Sequence, residues 1–153
     1  MIDPRGQRFA AAVTTVVLAV VLLTGSAWLL AAQTVVFAIG AFAGLQRSPY
    51  GVLFRRLVRP RIGPPSELES AAPPRFAQGV GFGFGLVGTL AIALGAPTVG
   101  LVAVGLALAA AFLNAAFGFC LGCEMYLIGR RLLPSRAAAA ITTRSPLAEE
   151  ATA

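Results

Sequence analysis

VGLVAVGLALAAAFLNAAFGF, residues 99–119, carries no charged side chain and a single amide, Asn114. A helix of that length rises about 30 Å, the thickness of a bilayer's hydrocarbon core, so the stretch predicts a membrane-crossing helix. Three more runs share its character, at about 9–23, 28–45 and 76–94. Across the chain 58% of residues are apolar and only 12% charged, which fits an integral membrane protein and not a soluble domain. The fold class expected is all-α integral membrane, with four transmembrane helices in one domain over residues 1–133.

The charges fall between the runs. Arg5 and Arg8 precede the first, Arg130 and Arg131 follow the last, and Arg47, Arg55, Arg56, Arg59, Arg61 and Arg75 sit in the hydrophilic connection 46–75. The other two connections, Thr24-Gly25-Ser26 and Gly95-Ala96-Pro97-Thr98, have no charge. Arginine-rich loops stay in the cytoplasm. The chain therefore reads as a multi-pass protein of the cell inner (plasma) membrane with both termini cytoplasmic. Its net charge of +6 serves topology; no basic stripe interleaved with polar base readers points to nucleic acid. The positive start, apolar run and Gly25-Ser26-Ala27 also fit a secretory signal, but a second apolar run follows at once and pairs with the first.

Local signals refine this plan. Asp3-Pro4 is a helix start, with Asp as N-cap and Pro at the first helical position, and Ser48-Pro49 repeats it. Tyr50, Leu53, Phe54, Leu57 and Val58 recur at helical spacing beside Arg55, Arg56 and Arg59. That pattern predicts a short cytoplasmic amphipathic helix at the membrane interface, ending at Pro60, with its arginines toward lipid phosphates or an acidic partner. Gly63 to Pro74 is too rich in proline for a helix and reads as a tether. Trp28 suits an interfacial anchor, and Gln33 needs a hydrogen-bond partner on a neighbouring helix. Gly83-Phe-Gly85-Leu-Val-Gly88 matches a dinucleotide fingerprint only by accident, because it lies inside a membrane run and no strand precedes it. Gly79/Gly83, Gly81/Gly85, Gly40/Gly44 and Gly118/Gly122 instead provide the spacing at which helices approach closely in lipid. After Pro134 the tail to Ala153 lacks a core pattern and is expected to be disordered.

The reactive groups are few. The only two cysteines, Cys120 and Cys123, lie in Gly118-Phe119-Cys120-Leu121-Gly122-Cys123-Glu124-Met125-Tyr126. The fourth helix is expected to continue through them to about residue 131, which puts both thiols on one face, near a helix C-terminus and the cytoplasmic surface. They are the candidate catalytic residues, for thiol redox or sulfur transfer, with Cys123 as first attacker and Cys120 as resolving partner. Arg130 would lower the Cys123 pKa, whereas burial, Glu124 and the helix C-terminus would raise it. Cysteine is also a common packing residue, so a non-catalytic scaffold or small transporter subunit is the alternative, and whether the chain is an enzyme stays open. With two thiols and no histidine, no metal or cofactor is expected. Asn114, before Cys120, can either fix a neighbouring helix or hold a substrate near the thiols.

Asp-Pro-Arg-Gly at 3–6, Ser-Pro-Tyr-Gly at 48–51, Pro-Pro-Arg-Phe-Ala-Gln at 73–78 and Phe-Gly-Phe-Cys-Leu-Gly-Cys-Glu-Met-Tyr at 117–126 resemble a bacterial, mainly actinobacterial, membrane-protein family of unknown function, DUF4395. The likeness covers residues 2–132, and its Cys-x-Gly-Cys motif is matched by Cys120, Gly122 and Cys123. The resemblance implies a multi-span membrane protein whose partners are the lipid bilayer and a soluble thioredoxin-like or sulfurtransferase protein; a homo-oligomer stays open.

Overall fold

Asp3 opens the first helix as its N-cap, accepting a 3.0 Å bond from the Arg5 N–H, and Pro4 fills the first helical position where an N–H would have no partner. This computed structural model describes residues 1–65 and 67–132. Helix α1 spans Pro4–Thr24 and stops at Gly25, whose left-handed backbone (φ 66) lets the chain turn. Ser26 then caps α2, Ala27–Ala38, which continues through a π-helical turn, Ile39–Ala43. Short helical pieces α3 (Pro49–Leu53), a second π-helical turn (Phe54–Val58) and α4 (Arg59–Ile62) lead to the long helices α5 (Ala72–Ala93) and α6 (Pro97–Phe117). The last element is α7, Leu121–Leu132. Among the described residues there is no strand, and one isolated bridge joins Ile2 to Glu69.

Three of these helices, α1, α5 and α6, are long and apolar enough to cross a membrane, and the second run forms the shorter apolar helix Ala27–Ala43. Burial follows the logic of lipid. Large apolar side chains such as Val16, Val35, Val87, Leu90, Val102 and Phe112 are exposed, as is Trp28 at 88%. Small or polar residues fill the contacts inside. A β-carbon on Gly81 would lie 2.9 Å from the Phe37 ring, one on Gly88 3.0 Å from Leu30, and one on Gly85 would collide with Thr34. The even-spaced glycines of α5 thus bring α2 against it, whereas Gly79 and Gly83 face open space. Leu18, Val21, Leu30 and Val104 form the closed core, with α6 packed on both α1 and α5.

The helices alternate in direction, so the N-terminus, residues 44–71 and α7 share one end. Arginines knit that end together. Arg5 donates to the Ile62 and Gly63 carbonyls at the end of α4, Arg8 to Ala115 and Ala116 at the end of α6, and Arg75 to Ala41 and Phe42 at the end of α2. Each thus serves carbonyls that a helix terminus leaves without partners, where the dipole also favours a cation. Arg5 in addition clamps Asp3 at 3.0 Å and holds its carboxyl below the usual range. Every charged residue described lies in or beside this end; the opposite turns, at Gly25 and Gly95, carry none.

Four expectations need correction. The helix expected to end at Pro60 runs to Ile62, because the preceding wide turn lets the proline ring enter without a clash, and Gly63 ends it. Pro73 and Pro74, assigned to the tether, lie in the first turn of α5, where missing N–H groups go unused. Ser48 makes no side-chain cap bond. The helix over 99–131 is broken between Phe117 and Leu121. The expected tail, 134–153, lies outside the described residues.

Gln33, only 2% exposed, accepts a hydrogen bond from the Tyr50 hydroxyl, while its Nε2 has no partner among the described residues. This bond ties α2 to α3. Tyr50→Phe should therefore destabilise the fold by about 1–2 kcal/mol by stranding a buried carbonyl, and adding Gln33→Leu should recover most of it. Thermal unfolding of the two variants in detergent checks this.

Candidate functional site

Gly118 ends α6 with a left-handed backbone (φ 69, ψ 12), a region costly for residues that carry a β-carbon. Its N–H reaches the Asn114 carbonyl at 3.0 Å, the Phe119 N–H reaches Leu113 at 3.4 Å, and the chain turns before α7 begins. The first bond of α7 runs from the Glu124 N–H to the Cys120 carbonyl, 3.0 Å. Cys120 thus occupies the N-cap position of a helix, not the last turn of one.

The position decides the chemistry of the pair. The Cys120 side chain sits beside the Cys123 thiol and the backbone N–H groups of Cys123 and Gly122, the donors an N-cap side chain normally serves. These neighbours, the Cys123 thiol first, hold its pKa down to about 7 from 9.0, against burial and the nearby Glu124. Cys123 moves the other way. Its proton is held by Cys120, and burial, the charge on Cys120, Glu69 and Glu124 all raise its pKa. Arg130, expected to assist Cys123, is not among the groups that shift it.

Alkylation by iodoacetamide should therefore be half-maximal near pH 7. Below that pH the rate should fall tenfold per unit as the thiolate is protonated, and above it the rate should level off. Mass mapping should place the label on Cys120. A half-point near 9, the value of an ordinary thiol, would contradict the arrangement.

The dithiol is seated by a neighbour. A β-carbon on Gly122 would come within 2.6 Å of Ala77 Cβ and 2.7 Å of its Cα, so α7 meets the α5 backbone at that residue. One turn on, the Tyr126 and Phe76 rings lie 5.8 Å apart. The close-approach glycine expected at the thiol end is thus present, and its partner is α5.

Two voids meet at Cys120. A cleft of about 300 Å³ opens beside both cysteines, lined also by Gln7, Arg8, Glu69, Asn114 and Glu124. An inner cavity of about 600 Å³ extends between α1, α5 and α6, past Cys120 but not Cys123, as far as Thr14 and Phe84. Phe54, buried against Gly6 and 5.8 Å from the Phe9 ring, lines it beside Asp3, Arg55 and Arg59. Asn114 lines both voids. Sequence reasoning found the cysteines and Asn114 but missed Gln7 and Glu69. Glu69 arrives through backbone bonds of 2.8 and 2.9 Å with Ile2, a pairing with no side-chain signature.

A helical chain with membrane-competent spans, its ionisable groups gathered at one end and a helix-capping dithiol among them, has the form of a small membrane protein. More narrowly, residues 2–131 match the family described as Domain of unknown function (DUF4395), and the chain belongs to that family. No curated protein and no solved structure matches it.

Proposed function

We propose that the chain is a plasma-membrane thiol–disulfide exchange protein that offers the Cys120–Cys123 pair to a soluble thioredoxin-like or sulfurtransferase protein. In this reading α1, Ala27–Ala43, α5 and α6 are the four spans. Residues 49–62 form the interfacial amphipathic helix, and the arginine-bearing end faces the cytoplasm. The observation that carries the proposal is Cys120 at the α7 N-terminus, with the Cys123 thiol one turn on beside it. That geometry makes Cys120 the attacking thiolate and Cys123 the resolving thiol, the reverse of the order read from the sequence. Cys120 attacks a partner disulfide, one partner sulfur leaves as thiolate, and Cys123 then attacks the mixed disulfide, releasing the partner reduced. The same steps run backwards from the Cys120–Cys123 disulfide.

Capture with the full-length Cys123→Ser protein in intact cells tests this. A dithiothreitol-sensitive adduct between Cys120 and a cytosolic Cys-x-x-Cys protein is expected, and Cys120→Ser/Cys123→Ser should yield none. A scaffold or transporter subunit with packing cysteines would give no adduct from either variant. A reporter fused after Pro134 that is active only when exported would defeat the cytoplasmic assignment.

A further inference from the structure

Cys120 lines both the outer cleft and the inner cavity, while Cys123 lines the cleft alone. The cleft gives access to both sulfurs; the cavity approaches that of Cys120 from between membrane-competent helices. Its long walls are Ala10 and Ala11 of α1, Ala77 of α5 and Ala107, Ala110 and Ala111 of α6. Four side-chain amides, of Gln7, Gln46, Gln78 and Asn114, line this volume, which Asp3, Arg55 and Arg59 border as well. Among the described residues none of the four amide groups takes part in a side-chain hydrogen bond, so each has donors free for a ligand carbonyl. Helices α1 and α5 stand on opposite sides of the cavity, each packed against both α2 and α6. Its volume falls within the range of about 300–1,000 Å³ typical of sites for small organic molecules.

We infer that this cavity takes the ring of a lipid-soluble quinone, which accepts two electrons from the Cys120–Cys123 dithiol. The inference rests on the thiol-exchange reading and names the membrane-side substrate of the same pair. The alanine walls suit an uncharged ring, amide donors suit quinone carbonyl oxygens, and an acyl lipid would fit but accept no electrons. The chemistry balances. The Cys120 thiolate adds to a ring carbon; Cys123 attacks Cys120 Sγ, the S–S bond forms and the C–S bond breaks. The released pair stays on the ring, which takes up the two protons given up by the thiols and leaves as hydroquinone. A soluble dithiol then reduces the Cys120–Cys123 disulfide from the cleft, so electrons pass from a cytoplasmic protein into the membrane pool.

Full-length protein, reduced and reconstituted in nanodiscs, should be mixed with decylubiquinone while quinone absorbance and free thiols are followed. One quinone reduced per chain, saturable kinetics and loss of both thiols are expected. Ala111→Phe, which fills the cavity away from the cleft, should raise the half-saturating quinone concentration about tenfold, an effect comparable to losing one good contact. The rate of Cys120 with the aqueous disulfide DTNB, taken in the same preparation, is the reference for an intact dithiol. Ala110→Leu gives a second, milder filling should Ala111→Phe fail to fold. Oxidation no faster than that of free dithiothreitol, or a rate linear in quinone and indifferent to both fillings, overturns the inference. If DTNB exchange persists in that case, only the quinone assignment falls; if exchange is lost as well, the thiol-exchange reading falls with it.

Discussion

Cys120→Ser should slow reaction of the purified protein with a soluble disulfide by roughly 5–10-fold at pH 7. With its pKa near 7, about half of Cys120 is thiolate at that pH, whereas the remaining Cys123, even at an ordinary pKa near 9, is thiolate in about one molecule in a hundred, offset in part because that more basic thiolate is roughly 8-fold the better nucleophile. Cys123→Ser acts differently. It keeps the attacking sulfur and the backbone donors of the α7 N-terminus but replaces the thiol that does most to lower the Cys120 pKa. Its first attack should slow by only a few-fold, and the mixed disulfide should then accumulate because no second sulfur resolves it. Stopped-flow release of an aromatic thiolate gives the rates, and intact mass gives the adduct. Equal slowing by the two substitutions would show that neither sulfur is privileged.

The asymmetry is invisible in residue spacing, and the reason is physical. Cys-x-x-Cys places two thiols on one helical face in any register, but whether that face belongs to the end of one helix or the start of the next depends on a single residue. Gly118 was legible as one of a pair of close-approach glycines. Its second capacity, a left-handed backbone that ends α6, competes with a strongly apolar run on both sides, and the run argues for continuity. Reading the run alone puts Cys120 in the negative field of a helix end and makes Cys123 the outer, attacking thiol. Breaking the helix inverts both conclusions. Elsewhere local chemistry was enough. Asp3-Pro4 starts a helix where capping rules put it, and Gly81 and Gly85 lie on the face of α5 that meets α2. The arginines were legible as a charged end, but not as caps on the termini of α2, α4 and α6, since each reaches carbonyls more than 30 residues away.

Gly122→Val should cost about 1–3 kcal/mol, the range for forcing a side chain into a filled contact. The atoms in its way are the Ala77 Cβ and Cα, 2.6 and 2.7 Å from the new β-carbon, and a backbone atom cannot rotate aside. Helix α7 must therefore lift from α5, separating Tyr126 from Phe76 and loosening the turn that aims two N–H groups at Cys120. The thiol pKa should rise from about 7 toward 9, and alkylation at pH 7 should slow by more than tenfold. Gly129→Val is the control. It adds the same side chain to the same helix where nothing among the described residues lies within 4 Å, so it should carry only the propensity change and leave the alkylation profile in place. Thermal unfolding in detergent and the alkylation pH profile, measured on both variants, separate a seated α7 from a free one. If the two valines behave alike, α7 does not rest on α5, and the cleft that exposes the dithiol to a soluble partner has lost its wall.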